Sequence, residues 1–168
     1  TNSYTSNRLE YKKGWNTMNP DNMTQHVQEA LADAQQLALA NDHNQMDTGH
    51  VLKALLNQEE GLVHELIRAV GGDLPAITRD IDRLLEGLPT VVGDNLQLHA
   101  SNDVQRILAK GWTLAQKQND RYLSVDHLLN AIVSLDRSAC SKILQKNGVT
   151  AERLAAAMEE IRGKGSAT

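Results

Sequence analysis

The sequence predicts an all-α fold: eight helices arranged as two tandem four-helix repeats related by a pseudo-twofold axis. Three observations carry this expectation. MDTGHVLKALL (residues 46–56) and LSVDHLLNAIV (residues 123–133) share one layout, an apolar residue, a short polar turn, a His and an apolar run at helical spacing. The shift between them, 123 minus 46 or 77 residues, extends over nearly the whole chain without a gap. It places Thr24 on Ser101, Val27 on Val104, Leu31 on Leu108, Leu66 on Ile143, Gly71 on Gly148 and Ile77 on Leu154. No segment shows the strict alternation of a half-buried strand. Self-similarity held in one register over such a span marks a duplicated unit.

Each half yields the same helices in order. The first begins after Thr24 or Ser101, residues whose side-chain oxygen can accept from a free N–H of the first turn. Val27, Ala30, Leu31, Ala34, Leu37 and Ala38 then form one apolar stripe. The second helix follows Asp47 or Ser124. The third covers about Leu62 to Val70, and Ala139 to Lys146 in the other half. It stops at Gly71 or Gly148, where a left-handed residue costs glycine little. The fourth follows Asp73 or Thr150, with Pro75 in the first turn, where a missing N–H is harmless. The irregular stretch EGLPTVVGDNLQLHA (86–100) joins the halves, broken by Gly87, Pro89 and Gly93. The folded domain is thus expected over residues 18–163, with repeats at about 24–86 and 101–163 and a linker at 87–100. Neither repeat is large enough to bury its own helices well, so the two should pack on each other.

Composition narrows the function classes. Hydrophobic residues make up 40% of the 168 residues, aromatics only 3%, and Phe is absent, so the core must be aliphatic. With 17 basic and 21 acidic residues the net charge is -4, which argues against a nucleic-acid module. No apolar stretch reaches membrane-spanning length. The single Cys140 excludes an internal disulfide and fits a reducing compartment. Residues 1–17, TNSYTSNRLEYKKGWNT, are polar and aperiodic, and read as a tail or upstream extension, with Met18 as a natural start.

Chemistry-bearing motifs are few. There is no P-loop, HExxH or CxxC, and no two of the six histidines stand at i,i+4. His50 and His127 occupy equivalent places near the start of the second helix, as paired ligands or pH sensors, or as histidines that bond a neighbouring loop. The lack of metal-type spacing favours the loop bond. Cys140, within the run ACSKIL, reads as a small buried hydrophobe. Asp120 and Asp126 form either a carboxylate pair or a turn residue and a first-turn helix residue. Nothing here supports an enzyme in this chain.

Several segments resemble one family. The helix TQHVQEALADAQQLALA, the element HVLKALL, the linker start LLEGLPTVVG and the stretch LAQKQNDRYLSVDHLL resemble the Clp N-terminal domain of AAA+ chaperones, and among these the ClpB-type disaggregases. The match covers about Met18 to Gly163. The resemblance implies a substrate-binding module that takes up unfolded or aggregated polypeptide and passes it to a hexameric AAA+ ring, with possible help from another chaperone system. It implies a cytoplasmic, monomeric domain with no cofactor of its own, ATP and magnesium belonging to ATPase modules beyond residues 164–168, which would begin the linker. Matched residue by residue, the family pattern assigns substrate binding to Thr24, Asp120, Asp126, Leu108 and, at a departure from an aliphatic residue, His127. Asp126 stands where relatives often have Glu. Weak binding of apolar segments in a groove follows, with the acidic rim favouring basic-flanked peptides. An adaptor-docking domain of a ClpA- or ClpC-type unfoldase is the nearer alternative, a helical DNA-binding module the remote one. Tyr4, Leu9, Tyr11 and Trp15 of the tail, interleaved with Arg8, Lys12 and Lys13, suit a segment that imitates substrate on such a groove.

Overall fold

A computed structural model of the protein describes residues 19–93 and 97–166. The tail of residues 1–17 and its expected docking lie outside them. Eight helices follow in order: α1 (Gln25–Ala40), α2 (Thr48–Leu56), α3 (Leu62–Ala69), α4 (Leu74–Glu86), α5 (Asn102–Lys117), α6 (Val125–Val133), α7 (Ala139–Lys146) and α8 (Ala151–Ser166). The last four begin at 102, 125, 139 and 151, each 77 residues after its counterpart at 25, 48, 62 or 74. The first three pairs also end 77 residues apart, whereas α8 runs three residues past the equivalent of Glu86.

Local chemistry explains why the boundaries repeat. Thr24 accepts from the Val27 N–H at 3.3 Å and Ser101 from the Val104 N–H at 3.1 Å. Asp73 accepts from Ala76 at 3.1 Å and Thr150 from Arg153 at 3.2 Å. Caps of this kind are worth about 1 kcal/mol each. α3 and α7 stop at left-handed Gly71 (φ 77°) and Gly148 (φ 96°). The following N–H groups reach back five residues, Gly72 to Ile67 O at 2.8 Å and Val149 to Leu144 O at 2.9 Å, closing a Schellman turn. The first helices end the same way without glycine, through Asp42 (φ 57°) and Asn119 (φ 58°), and Glu60 (φ 60°) matches Arg137 (φ 65°). Among the described residues, every positive-φ position outside the linker therefore recurs after 77 residues.

The repeats are interlocked at their openings. β1 (Gln45–Met46) pairs in parallel with β2 (His99–Ala100), and an isolated parallel bridge joins Met23 to Leu123. These are one contact seen twice: the residue before the first helix of one repeat meets the residue before the second helix of the other. The Thr24 N–H donates to Leu123 O and the Ser101 N–H to Met46 O, both at 2.9 Å. The Ser101 hydroxyl also donates to Asp47 Oδ1 at 2.9 Å, and the Asp73 N–H to Asn147 O at 3.0 Å. The sequence pattern carries no trace of these pairings, because two residues are too few to display a period.

One aliphatic core runs through both halves. Val27, Leu31, Leu52, Leu55, Ile67 and Ile77 of the first repeat pack with Val104, Ile107, Leu129, Ile132, Leu144 and Leu154 of the second. α2 and α6 are buried along most of their length and form its centre. Cys140 lies within this core, and burial pushes its thiol up to about 11, so it remains protonated and acts by packing. Among the described residues, no helix is long and apolar enough to cross a membrane.

Candidate polypeptide-binding site

The start of α6 carries a capping box. The Ser124 N–H donates to His127 Nδ1 at 3.0 Å, three residues into the helix. A ring nitrogen that accepts a backbone N–H holds no proton of its own. The ring is therefore neutral, with its hydrogen on Nε2, and it donates to Asp120 Oδ2 at 2.8 Å. Gln118 Oε1 lies a little farther off, at 3.2 Å. Asp120 is aimed there by the left-handed turn at Asn119, which also lets the Asp120 N–H donate to Ala115 O at 2.8 Å. α5 can approach the start of α6 because position 111 is glycine; a Cβ there would stand 2.8 Å from Leu123 Cδ1.

Arg162 of α8 closes the arrangement. Its Nη1 donates to Asp120 Oδ1 at 2.7 Å and its Nη2 to Asp120 Oδ2 at 2.5 Å, a two-pronged pair, and Nη2 also reaches Gln118 Oε1 at 2.7 Å. The Arg162 bond foremost, then the bond from His127, holds the Asp120 carboxyl below the usual carboxylate range despite partial burial. The same pair raises Arg162 above its ordinary value. Asp126 accepts from the Ser124 hydroxyl and lies 3.9 Å from His127 Nδ1, so the imidazole stands between two carboxylates. Asp126 and Arg162 also line a small pocket of about 160 Å³ walled by Leu62 and Leu66 of α3 and by Met158 and Ile161 of α8. It opens between the repeats. With His127 neutral, two carboxylates face one guanidinium, leaving one uncompensated negative charge.

The residues anticipated from sequence fall into three groups. Asp120 and Asp126, whose side chains are 23% and 13% exposed, meet at this site. Thr24 joins it only through the backbone, by the bond from its N–H to Leu123 O, while its side chain caps α1. Leu108 and His127 do not present a groove surface as expected. Leu108 is 3% exposed and belongs to the core stripe of α5, and His127 is 1% exposed, held below the rim by its cap and by Asp120. Asp120 is likewise more than a surface loop residue removable at no cost in stability. Asp120→Ala leaves the buried His127 Nε2–H with only the longer Gln118 contact, so urea unfolding should show a loss of about 1–2 kcal/mol, at the low end for a buried donor because Asp120 is partly exposed. Asp120→Asn keeps an acceptor for His127 and should lose less; equal losses would mean that the His127 bond carries no stability.

The first repeat holds the neutral version of the same place. His50 Nδ1 accepts from the Asp47 N–H at 2.9 Å, and its Nε2 meets His43 Nδ1 at 2.9 Å, so His43 stands where Asp120 does. Both histidines are thus helix-start residues bonded to a neighbouring loop. Burial foremost, then His43, lowers the His50 pKa to about 4. Gly49 occupies the place of Asp126 and Leu85 that of Arg162. A Cβ on Gly49 would lie 3.1 Å from Leu85 Cδ2, so this cleft is filled by leucine. Arg162 was missed in the sequence. Leu85 to Arg162, Gly49 to Asp126 and His43 to Asp120 each create charge in the 77-residue register, but so do Ala40 to Lys117, Asn44 to Arg121 and Ala76 to Arg153, so nothing in the register sets these three apart.

A wider open groove of about 700 Å³ runs beside α4, lined by Leu56, Leu74 and Pro75 but also by Glu59, Asp82 and Arg83. It carries charges of both signs and lies away from the two carboxylates.

The profile described as "Clp repeat (R) N-terminal domain" matches residues 22–147. "Chaperone protein ClpB" of Clostridium perfringens (strain 13 / Type A) is 31% identical over 150 residues, covering 87% of this chain and 17% of its own length. "Chaperone protein ClpB" of Agrobacterium fabrum (strain C58 / ATCC 33970) is 34% identical over 145 residues, covering 86% and 17%. The chain thus spans about a sixth of the length of these curated relatives. Among solved structures, the Hsp104 N-terminal domain from Candida albicans superposes with a TM-score of 0.74 at 20% identity, over 84% of this chain and 92% of that one. A complex of the ClpV N-domain with VipB peptide gives a TM-score of 0.64 at 16% identity, over 80% and 82%.

Proposed function

The chain belongs to the Clp repeat N-terminal domain family, and on that premise we propose that it is the substrate-receiving domain of a ClpB-type, ATP-dependent protein disaggregase. It takes up exposed segments of unfolded or aggregated polypeptide and hands them to an AAA+ ring, where ATP and magnesium would be bound by other modules. The supporting observation is the inter-repeat pocket, with apolar walls from Leu62, Leu66, Met158 and Ile161 and an acidic rim at Asp126 and Asp120. An apolar wall accepts many side chains with little discrimination, and a charged rim adds attraction that falls with salt. Such a surface suits weak, sequence-tolerant binding in the cytoplasm. Leu108 and His127 act from beneath, by holding α5 and the start of α6 in place.

The test is fluorescence anisotropy with casein and with reduced, carboxymethylated α-lactalbumin, two unfolded probes. Micromolar or weaker binding is expected, and Leu62→Ser, at the half-buried wall of the pocket, should weaken it about tenfold through loss of apolar surface. Failure of both unfolded probes, with binding of one folded partner instead, would replace this reading with adaptor docking.

A further inference from the structure

We propose that Arg162 is an internal stand-in for a lysine or arginine side chain of the bound polypeptide, and that binding exchanges one ion pair for another. The incoming cation takes the Asp120–Asp126 rim while its aliphatic stem fills the pocket, and Arg162 leaves together with the last turn of α8. The inference rests on the reading of this surface as the polypeptide site.

Charge and shape lead to this occupant. The rim holds two carboxylates against one guanidinium, and Asp126, which lines the pocket itself, has no bond from Arg162. A ligand that brings one positive charge neutralises the site, whereas one that brings a carboxylate adds repulsion. The remaining walls are aliphatic, so the charge must arrive on an apolar stem; lysine and arginine are the side chains with that build. Arg162 already displays the arrangement, with its head on Asp120 and its stem along the pocket wall next to Ile161.

Displacement is feasible because the pair is partly open to water. The Arg162 side chain is 39% exposed and Asp120 23%, and ion pairs at such places contribute little net stability. A competing cation therefore has little to overcome. Arg162 lies four residues from the end of α8, just before the equivalent of the last residue of α4, and the three residues by which α8 outruns α4 follow it. Release of the guanidinium removes a polar tie between the end of α8 and the turn after α5. The cleft of the first repeat has Leu85 and Gly49 at the equivalent positions and no carboxylate at either, so of the two clefts among the described residues only that of the second repeat carries this arrangement.

The experiment uses the 168-residue chain and two fluorescent peptides with identical apolar residues, one carrying three lysines and the other three glutamines in their place. At low salt the lysine peptide should bind about fivefold tighter, and Asp126→Asn should abolish the difference. Arg162→Gln should raise affinity for the lysine peptide about threefold, and by more than it changes affinity for the glutamine peptide. In the unsubstituted chain, amide hydrogen exchange of residues 163–166 should accelerate when the lysine peptide binds. That measurement decides the matter even if Arg162→Gln fails to fold. Equal binding of the two peptides, weaker lysine-peptide binding by Arg162→Gln, or slower or unchanged exchange at the end of α8 overturns the stand-in while the polypeptide site survives. Failure of both peptides and of unfolded α-lactalbumin overturns both.

Discussion

Expressed alone, residues 18–93 or residues 94–168 should give a chain without cooperative structure, and mixing the two should restore helix. Each half is about 75 residues long, a size at which a domain is marginal even with an intact core. Here the core is not the property of either half. α2 and α6 would each expose a face that the other repeat now covers, including Leu52, Leu55, Leu128 and Leu129, all fully buried. Separation also leaves the N–H groups of Thr24 and Ser101 without Leu123 O and Met46 O, and it leaves Asp47 without the Ser101 hydroxyl. Far-UV circular dichroism of each fragment and of the mixture checks the expectation. A fragment that melts cooperatively by itself would show that the interlock is dispensable.

Between pH 7 and pH 4 the intact domain should lose about 3 kcal/mol of stability through His50. Its pKa is about 4 when folded against the ordinary 6.5, a difference of roughly 2.5 units at about 1.4 kcal/mol each. The sign follows from which state takes up the proton. Below pH 6.5 the unfolded chain binds a proton that the folded chain refuses, so this contribution is complete above 6.5 and disappears as the pH falls to about 4. Asp120 acts in a different window. Its folded pKa lies below the ordinary 3.8, so its share is present above that value and is lost only in stronger acid. Urea midpoints at pH 7, 6, 5 and 4 measure the first window. His50→Gln should be less stable at pH 7 and flatter across the series; a wild-type midpoint that does not move would mean that His50 protonates in the fold at no cost.

The helices were legible because their ends are written in local chemistry twice. Thr24 and Ser101, Asp73 and Thr150, and Gly71 and Gly148 each mark the same boundary in an independent copy, and a chance cap would not recur in register. The parallel pairings at Met46 and Leu123 were not legible, since they join backbone groups far apart in sequence and ask nothing of the side chains. At the site, Asp120 and Asp126 came from resemblance, and the structure supplied the reason they sit together, the imidazole between them. Leu108 was assigned to the groove although its counterpart Leu31 stands in the core stripe of α1, and the duplication alone already placed it inside. Arg162 was overlooked because it lies in a helix tail with no motif around it; only a fold that brings α8 over the end of α5 connects residues 42 positions apart.

The crosswise pairing of the two openings has a historical consequence. A single ancestral repeat, unable to cover its own core, would have needed a second copy of itself, bound about a true twofold axis with Met23-like and Leu123-like positions meeting at both ends. In such a homodimer every substitution is made twice. A carboxylate beside one cleft would have appeared beside the other, and closing one cleft with leucine would have closed both. Joining the copies through the segment after Glu86 removed that obligation. Gly49 and Leu85 could then fill one cleft while Asp126 and Arg162 placed charge in its twin, a difference that two identical copies could not have had.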